Sequence, residues 1–189
     1  MNRIAVVGAI GSGKSYVAKN FGFPFFNADE EVAKIYKKNK EIYTKLKKSL
    51  PSYINLFPIN KIEISEAILA KKSNLLKIIK IIHPEINKRM EVFLKKNKNK
   101  KFIILDIPLL LENKINKKND ILIFVQSKKA EIYKRLKKRK NFNSQLFKKF
   151  ESIQLPLEYK KKKSHFIIKN NFKQKTVEKS INNILRKIL

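Results

Sequence analysis

Short, continuous apolar runs recur along the chain, separated by longer stretches in which apolar residues recur at helical spacing. A continuous run of this length is typical of a strand buried on both faces of a parallel sheet. The runs occupy residues 4–7, 23–26, 102–105, 121–125 and 166–168. The pattern predicts an α/β fold with about five parallel strands at its core.

The longest stretch without a predicted strand, residues 30–99, is too long for one crossover helix. Its apolar periodicity predicts helices over 30–38, 42–50, 61–70 and 75–94. We expect a break in the last helix at His83-Pro84, because proline disfavours helical geometry in the preceding residue. His83 either contacts a ligand or makes a local hydrogen bond at this junction. Further helices are predicted over 128–140 and 177–189.

The chain carries a formal net charge of +30, which resembles the electrostatic footprint of a nucleic-acid-binding protein. The lysines, however, are spread over nearly every polar segment instead of forming one stripe with interleaved aromatic residues. A diffuse excess indicates a solvated lysine surface that also attracts polyphosphates. We therefore expect no nucleic-acid partner.

Several classes of protein are disfavoured by composition. The chain has no cysteine, so disulfides and cysteine-based zinc sites are excluded, and its two histidines lie far apart. A length of 189 residues suits one domain. The N-terminus leads directly into a strand and no apolar run approaches about 20 residues. We expect a cytoplasmic protein without a signal peptide or membrane span, acting as a monomer or weak homo-oligomer.

The first predicted strand leads into residues 8–15, Gly-Ala-Ile-Gly-Ser-Gly-Lys-Ser, which fit the phosphate-binding pattern G-x-x-x-x-G-K-[ST]. Glycines let consecutive backbone N–H groups curl around an anion, and the next helix points its positive end at the phosphates. Lys14 is expected to reach the β and γ oxygens, and the Ser15 hydroxyl to bind Mg²⁺. The loop predicts binding of a nucleoside triphosphate.

Acidic residues are scarce, and Asp29, Asp106 and Asp120 are the only aspartates. Asp29 follows the second predicted strand, where it serves either as a general base or metal ligand or as the N-cap of the next helix. Asp106 ends the third strand beside the phosphate loop, and we expect it to act on Mg²⁺ directly or through water, with loop capping as the alternative. Asp120 precedes a strand, at the opposite edge, and is interpreted as structural.

Pro108 ends the third strand, and Leu109, Leu110, Leu111 and Glu112 follow in a loop. Exposed leucines beside a ligand-binding edge predict an apolar surface that contacts a substrate.

Arg135 and Arg139 lie four residues apart on one face of the helix predicted after the fourth strand. They either clamp phosphates through their guanidinium groups or are solvated residues of an amphipathic helix. Most basic residues of the chain are lysines, so the use of arginine at these two positions favours bidentate binding of phosphate.

Taken together, these motifs closely resemble those of the dephospho-CoA kinase family over nearly the whole chain. The specific matches are the phosphate loop, Asn27-Ala28-Asp29 where the family usually has Asp-Ala-Asp, His83-Pro84, and residues 108–112. Gln154 and Asn170-Asn171 also match, without an assigned role. The family phosphorylates the ribose 3′-hydroxyl of dephospho-CoA with ATP.

The resemblance implies a three-layer sandwich of the P-loop NTPase type with about five parallel strands, a helical substrate-binding insertion and a lid. One kinase domain would comprise a core (1–30, 100–139 and 164–189), a CoA-binding region (31–99) and a mobile lid (140–163). The resemblance implies Asp29, Lys14 and Arg139 as catalytic residues, and Ser15 and Asp106 as Mg²⁺ ligands. The residues expected to bind ATP are Gly11, Ser12, Gly13, Lys14, Ser15, Tyr16 and Arg135. The residues expected to bind the acceptor are Asp29, His83, Pro108, Leu109, Leu110, Leu111 and Glu112.

Three departures from the family pattern bear on the site: Val7 and Ala9 around the loop, and Asn27 in place of an acid. Ala9 fits only if its φ is negative. An uncharged Asn27 relieves the like-charge pressure on the pKa of Asp29. The alternatives to this family are another small-molecule or nucleoside monophosphate kinase of the same fold and a nucleic-acid-binding P-loop ATPase.

Overall fold

Five parallel strands form one sheet in the computed structural model, which describes residues 1–139 and 142–189. In chain order they are β1 (Asn2–Gly8), β2 (Phe25–Asn27), β3 (Phe102–Asp106), β4 (Ile121–Gln126) and β5 (Phe166–Lys169). Their order across the sheet is β2-β3-β1-β4-β5. The predicted α/β fold with five parallel strands is confirmed, with small differences at the strand ends.

The strand order places the ligand-binding edge between β1 and β3. The chain leaves β1 toward β2 on one side of the sheet and leaves β3 toward β4 on the other, and such a switch point opens a crevice at the carboxyl ends of the strands. Ala5 pairs with Leu105, so the phosphate loop after β1 and Asp106 at the end of β3 leave the sheet side by side.

The described chain divides into two compact units, and the sheet belongs to the first (Met1–Asn27, Asn97–Phe142 and Ile153–Leu189). Its helices are α1 (Lys14–Lys19), α6 (Lys129–Lys137), α8 (Leu157–Lys163) and α9 (Gln174–Ile188). Residues of α1 and α9 pack on alternate positions of the strands and form the main apolar core. The strands β1, β3 and β4 are buried on both faces, as their continuous apolar runs predict. The edge strand β5 differs, because Ile167 is exposed and only Ile168 is fully buried, so the expectation of burial on both faces is wrong for this strand.

The second unit (Ala28–Lys96 and Asn143–Ser152) is helical in its regular structure. Its helices are α2 (Ala28–Lys38), α3 (Lys40–Ser49), α4 (Lys61–Ala70), α5 (Lys72–Lys96) and α7 (Ser144–Glu151). Asparagines begin three of them: Asn39, Asn60 and Asn143 are the N-caps of α3, α4 and α7, and each side chain accepts a backbone N–H of the first turn.

Helix α5 is continuous across His83-Pro84, so the predicted break is wrong. Proline in a helix interior costs about 3 kcal/mol, because it removes one hydrogen bond and its ring crowds the preceding turn. The apolar stripe of α5 offsets this cost, since each of its buried side chains contributes about 1.5–3 kcal/mol. The stripe consists of Leu75, Ile78, Ile82, Ile86, Met90 and Leu94.

The stretch predicted as a lid contains two helices that belong to different units. Residues 140 and 141, at its start, lie outside the described residues. Helix α7 belongs to the second unit, where the Lys149 Nζ donates to the carbonyl of Leu69 at 2.5 Å, near the C-terminus of α4. Helix α8 belongs to the first unit. The role of this stretch as a mobile lid stays a prediction.

A buried ion pair supports the sheet at the edge opposite the phosphate loop. The Arg3 Nη2 donates to the Asp120 Oδ2 at 2.9 Å, and both side chains are almost fully buried. Burial raises the pKa of Asp120, while Arg3 and the backbone N–H of Lys117 act in the opposite direction. This pairing agrees with a structural role for Asp120.

Within residues 1–139 and 142–189, we find no helix with both the length and the apolar character needed to span a membrane.

Replacing Pro84 with alanine is expected to raise the free energy of unfolding by about 1–2 kcal/mol, because the helix gains a hydrogen-bond donor and loses the ring clash. Thermal or denaturant unfolding measures the change. Pro51→Ala, in the turn after α3, is the control and should lower stability by about 0.4–1 kcal/mol, because the unfolded chain becomes more flexible. A destabilised Pro84→Ala protein would contradict the strain assigned to this proline.

Candidate active site

The phosphate loop connects β1 to α1 and places two glycines where other residues would be strained. Gly11 has φ 79° and Gly13 has φ 90°. A Cβ on Gly11 would lie 3.0 Å from the Ile132 side chain, and one on Gly13 would collide with the Asn170 amide. Glycine therefore serves both the left-handed backbone of the loop and its close packing.

The two departures next to the loop are accommodated by the fold. Among the described residues, Lys114 and Phe172 are the only ones other than glycine with a positive φ. The φ of Ala9 is therefore negative, as its side chain requires. Val7 is a buried residue of β1 and pairs with Phe124 of β4. Neither departure disturbs the path of the loop.

Lys14 is the first residue of α1, and its ammonium lies over the start of the loop. The Nζ donates to the carbonyl of Ala9 at 2.8 Å and to that of Gly8 at 3.3 Å. Ser15 and Tyr16 follow on α1 and are exposed.

Asp106 ends β3 with only 3% of its surface exposed, beside Asn27 at the end of β2. The Asn27 Nδ2 donates to the Asp106 Oδ2 at 3.3 Å. An aspartate at position 27 would instead bring two like charges together, and the neutral amide of Asn27 avoids that repulsion. Among the described residues, no group of three His, Cys, Asp or Glu is arranged to hold a metal ion.

Asp29 is the second residue of α2 and is exposed. It therefore lies inside the helix, and the alternative that it is the N-cap is wrong. His83 lies on α5 and is half-buried, and this burial lowers the pKa of its imidazole, which favours the neutral form at pH 7. Asp29 and His83 both belong to the second unit.

The apolar loop after β3 differs from the expected row of exposed leucines. Leu110 is only 1% exposed, so the expectation of exposure is wrong for this residue. The chain turns here, with the N–H of Leu110 bonded to the carbonyl of Ile107 and the N–H of Ile115 bonded to the carbonyl of Leu110. This turn directs Leu110 into the core, while Leu109 and Leu111 stay half-buried, as does Pro108.

Glu112 is engaged within the protein. Its Oε1 lies 2.7 Å from the Lys160 Nζ and accepts the backbone N–H of Leu155 at 3.0 Å. Lys160, which is 2% exposed, also donates to the Gln154 Oε1 at 3.0 Å. These contacts fasten the loop after β3 to the segment that enters α8. Sequence reasoning missed Lys160, because one buried lysine in the run 160–163 looks like its solvated neighbours.

Arg135 and Arg139 are both exposed on or just after α6. The Arg135 guanidinium stacks 4.4 Å from the centre of the Phe172 ring. Phe172, at φ 63°, in turn reaches the phosphate loop, since a Cβ on Gly13 would lie 3.5 Å from its ring. The structure thus brings Arg135 into contact with a residue that borders the loop.

Comparisons with known proteins agree with this arrangement of loop and sheet. A dephospho-CoA kinase from Wolbachia sp. subsp. Brugia malayi is 31% identical over 187 residues, which cover 96% of this chain and 95% of that protein. A dephospho-CoA kinase from Bartonella quintana is 29% identical over 194 residues, covering 100% of this chain and 99% of the relative.

Two solved structures share the fold along nearly their whole length. A crystal structure from Thermus thermophilus has a TM-score of 0.80 at 21% identity and covers 100% of this chain and 98% of its own. A dephospho-CoA kinase from Campylobacter jejuni has a TM-score of 0.63 at 23% identity and covers 99% and 97%. These likenesses concern the fold.

The family model of CoaE, dephospho-CoA kinase, matches residues 2–176. The match spans the phosphate loop, the residues 108–112 and the helical region between them. Together with the relative that is 31% identical over almost the whole chain, it shows that this chain belongs to the dephospho-CoA kinase family.

Proposed function

We propose that this protein transfers the γ-phosphoryl group of ATP to the ribose 3′-hydroxyl of dephospho-CoA, with Mg²⁺ bound to the nucleotide. The observation that carries the proposal is the phosphate loop at the end of β1 beside the buried Asp106 of β3, in a chain of this kinase family. A site of this kind suits transfer from a nucleoside triphosphate.

The phosphate loop supplies the positive potential for the triphosphate. The positive φ of Gly11 and Gly13 is the kind of backbone that turns N–H groups toward an anion. The Lys14 ammonium already lies over the loop. In the proposed complex, Lys14 exchanges its carbonyl partners for β and γ oxygens. Phosphoryl transfer is catalysed mainly by positioning and charge stabilisation, so Lys14 acts as the principal cationic group.

The Ser15 hydroxyl and the Asp106 carboxylate are the groups that would hold Mg²⁺. Both present hard oxygen atoms, and Mg²⁺ sites in kinases combine one or two such protein ligands with water and phosphate oxygens. Asn27 donates its amide hydrogen bond to the Asp106 carboxylate without placing a second negative charge beside it. When bound, Mg²⁺ neutralises charge on the β and γ oxygens.

Asp29 is proposed as the base or orienting group for the acceptor. Its carboxylate accepts the proton of the 3′-hydroxyl while that oxygen forms a bond to the γ-phosphorus. The bond between the γ-phosphorus and the β,γ-bridging oxygen breaks, and ADP leaves with the bonding electrons. Asp29 is exposed on the first turn of α2, at the N-terminal end of the helix.

The arginines are assigned to the nucleotide. Arg139 would neutralise the transferring phosphoryl group, and Arg135, held by the Phe172 ring, would contact ATP. Tyr16 and Ser12 belong to the same proposed ATP site.

The acceptor is proposed to meet the half-buried surface of Pro108, Leu109 and Leu111 and the neutral imidazole of His83. Leu110 and Glu112 hold this loop in place through the core and through Lys160. Residues 31–99 are the proposed CoA-binding region, and residues 140–163 the proposed lid.

Lys14→Ala and Asp29→Asn are expected to abolish most phosphoryl transfer to dephospho-CoA. Loss of the cation removes charge stabilisation and should cost about 100-fold to 1,000-fold in kcat. Loss of the base should cost about 100-fold to 10,000-fold. Formation of CoA and ADP from ATP, Mg²⁺ and dephospho-CoA measures the reaction.

Glu30→Gln is the matched control for Asp29→Asn, because it makes the same kind of change at the next exposed position of α2. Its transfer rate should stay within about twofold of the wild-type rate. A folded, ATP-binding wild-type protein that transfers nothing to dephospho-CoA would overturn the acceptor assignment. Full activity of Asp29→Asn would overturn the role of that carboxylate.

Serine at Leu109 and at Leu111 is expected to raise KM for dephospho-CoA about tenfold for the double variant, since the acceptor loses apolar contacts worth about 1.4 kcal/mol. KM for ATP should change little. Steady-state kinetics with each substrate varied in turn makes the comparison. Leu157→Ser, at an exposed leucine of α8, is the control, and equal effects on both substrates would contradict an acceptor surface.

A further inference from the structure

The carbonyl of Ser12, in the middle of the phosphate loop, accepts hydrogen bonds from two side chains outside the loop. The Asn170 Nδ2 donates at 2.8 Å and the Ser127 Oγ at 2.9 Å. Ser127 follows β4 and Asn170 follows β5, so residues beyond two different strands meet on one loop carbonyl. Neither residue belongs to the nucleotide site as described above.

Two donors on this carbonyl determine the direction of the next backbone N–H. The peptide bond between Ser12 and Gly13 is trans, and in a planar trans peptide the C=O and the N–H point in opposite directions. Because Ser12 directs its carbonyl toward Asn170 and Ser127, the N–H of Gly13 points away from them. A loop that binds phosphate needs its N–H groups turned to the anion and its carbonyls turned away.

Asn170 is itself held in one orientation. It is 3% exposed, and its backbone N–H donates to the carbonyl of Gln126 at 2.7 Å. Its Oδ1 accepts the N–H of Phe172 at 2.8 Å, while its Nδ2 donates to the carbonyl of Ser12. Since one end of the amide faces a donor and the other an acceptor, a flipped side chain would lose both bonds.

The fit between Asn170 and Gly13 is equally close. A Cβ on Gly13 would overlap the Asn170 Nδ2, so the glycine admits the amide that fixes the preceding carbonyl. The left-handed φ of 90° at Gly13 excludes most side chains independently. The loop and the residue after β5 are therefore mutually dependent.

We propose that Asn170 and Ser127 are positioning residues for nucleotide binding, which lock the Ser12–Gly13 peptide so that the Gly13 N–H faces the phosphates. The inference rests on the proposed function, in that the loop binds a polyphosphate. Preorganisation of this peptide removes the need to reorient it when the anion arrives. Without the two donors, the peptide can rotate and present its carbonyl to the phosphates, which repels them.

The test uses the full chain with Asn170→Ala, Ser127→Ala and the double variant. Dissociation constants are measured for ATP and for inorganic tripolyphosphate, in salt that screens the exposed lysines. Asn170→Ala is expected to weaken both ligands at least tenfold, and Ser127→Ala about threefold to tenfold. The double variant should depart from the product of the single effects, because both residues act on one carbonyl.

Asn171→Ala is the matched control. Its Oδ1 accepts the N–H of Lys173 at 3.1 Å, the same local bond that Asn170 makes to Phe172, but it is exposed. Both dissociation constants should stay within about twofold of the wild-type values. KM for dephospho-CoA should be unchanged in every variant, since the peptide faces the nucleotide.

The NMR chemical shift of the Gly13 backbone amide distinguishes a positioning role of Asn170 and Ser127 from a purely structural one. Tripolyphosphate should shift this resonance in the wild-type protein, and the shift should be reduced in Asn170→Ala and Ser127→Ala. Variants that melt at lower temperature but bind tripolyphosphate as tightly as wild type, with the full Gly13 shift, would overturn the inference. If Asn170→Ala does not fold, Ser127→Ala carries the same test alone.

Failure of this inference differs from failure of the proposed function. A wild-type protein that binds neither ATP nor tripolyphosphate at Gly13 would overturn both. Wild-type binding that both alanine variants retain in full would overturn the positioning role and leave the kinase function standing.

Discussion

The placement of β1 between β3 and β4 is the constraint on which the rest of the molecule depends. It gives β1 a hydrogen-bonded neighbour on each side and brings three strand ends to one edge. This central strand is buried on both faces, which explains its continuous apolar sequence. The phosphate loop, Asp106 and Ser127 all leave the sheet there. Parallel pairing thus assembles, from segments spread over residues 8–127, a set of groups that no local sequence contains.

Scarce acids are used in close pairs in a chain of 45 basic and 15 acidic residues. Asp120 meets Arg3, Glu112 meets Lys160, and Glu31 meets Arg89, each at 3.0 Å or less. Removing one member of a buried pair leaves an uncompensated charge, which costs far more than an exposed pair contributes. The diffuse lysine surface therefore coexists with a few fixed charges that hold loops in place.

The strands and the phosphate loop were predictable because their signals are local: a short apolar run, and glycines at set spacing before Lys14. The errors arose where tertiary packing overrides a local rule. Pro84 stays helical because its helix buries an apolar stripe, and Leu110 is buried because the chain turns under it. The contacts of Lys160 and Asn170 depend on partners distant in sequence, so no periodicity could have revealed them.

Several capping and hydrogen-bonding positions hold asparagine and not aspartate. Because asparagine adds no negative charge, these positions favour the binding of an anionic ligand. Asn39 and Asn60 cap helices without adding charge, Asn27 donates to Asp106 instead of repelling it, and Asn170 supplies both a donor and an acceptor. An aspartate at position 170 would retain the acceptor for Phe172 but would turn an oxygen toward the Ser12 carbonyl. A neutral amide is thus the side chain that satisfies both neighbours and leaves the phosphate loop electropositive.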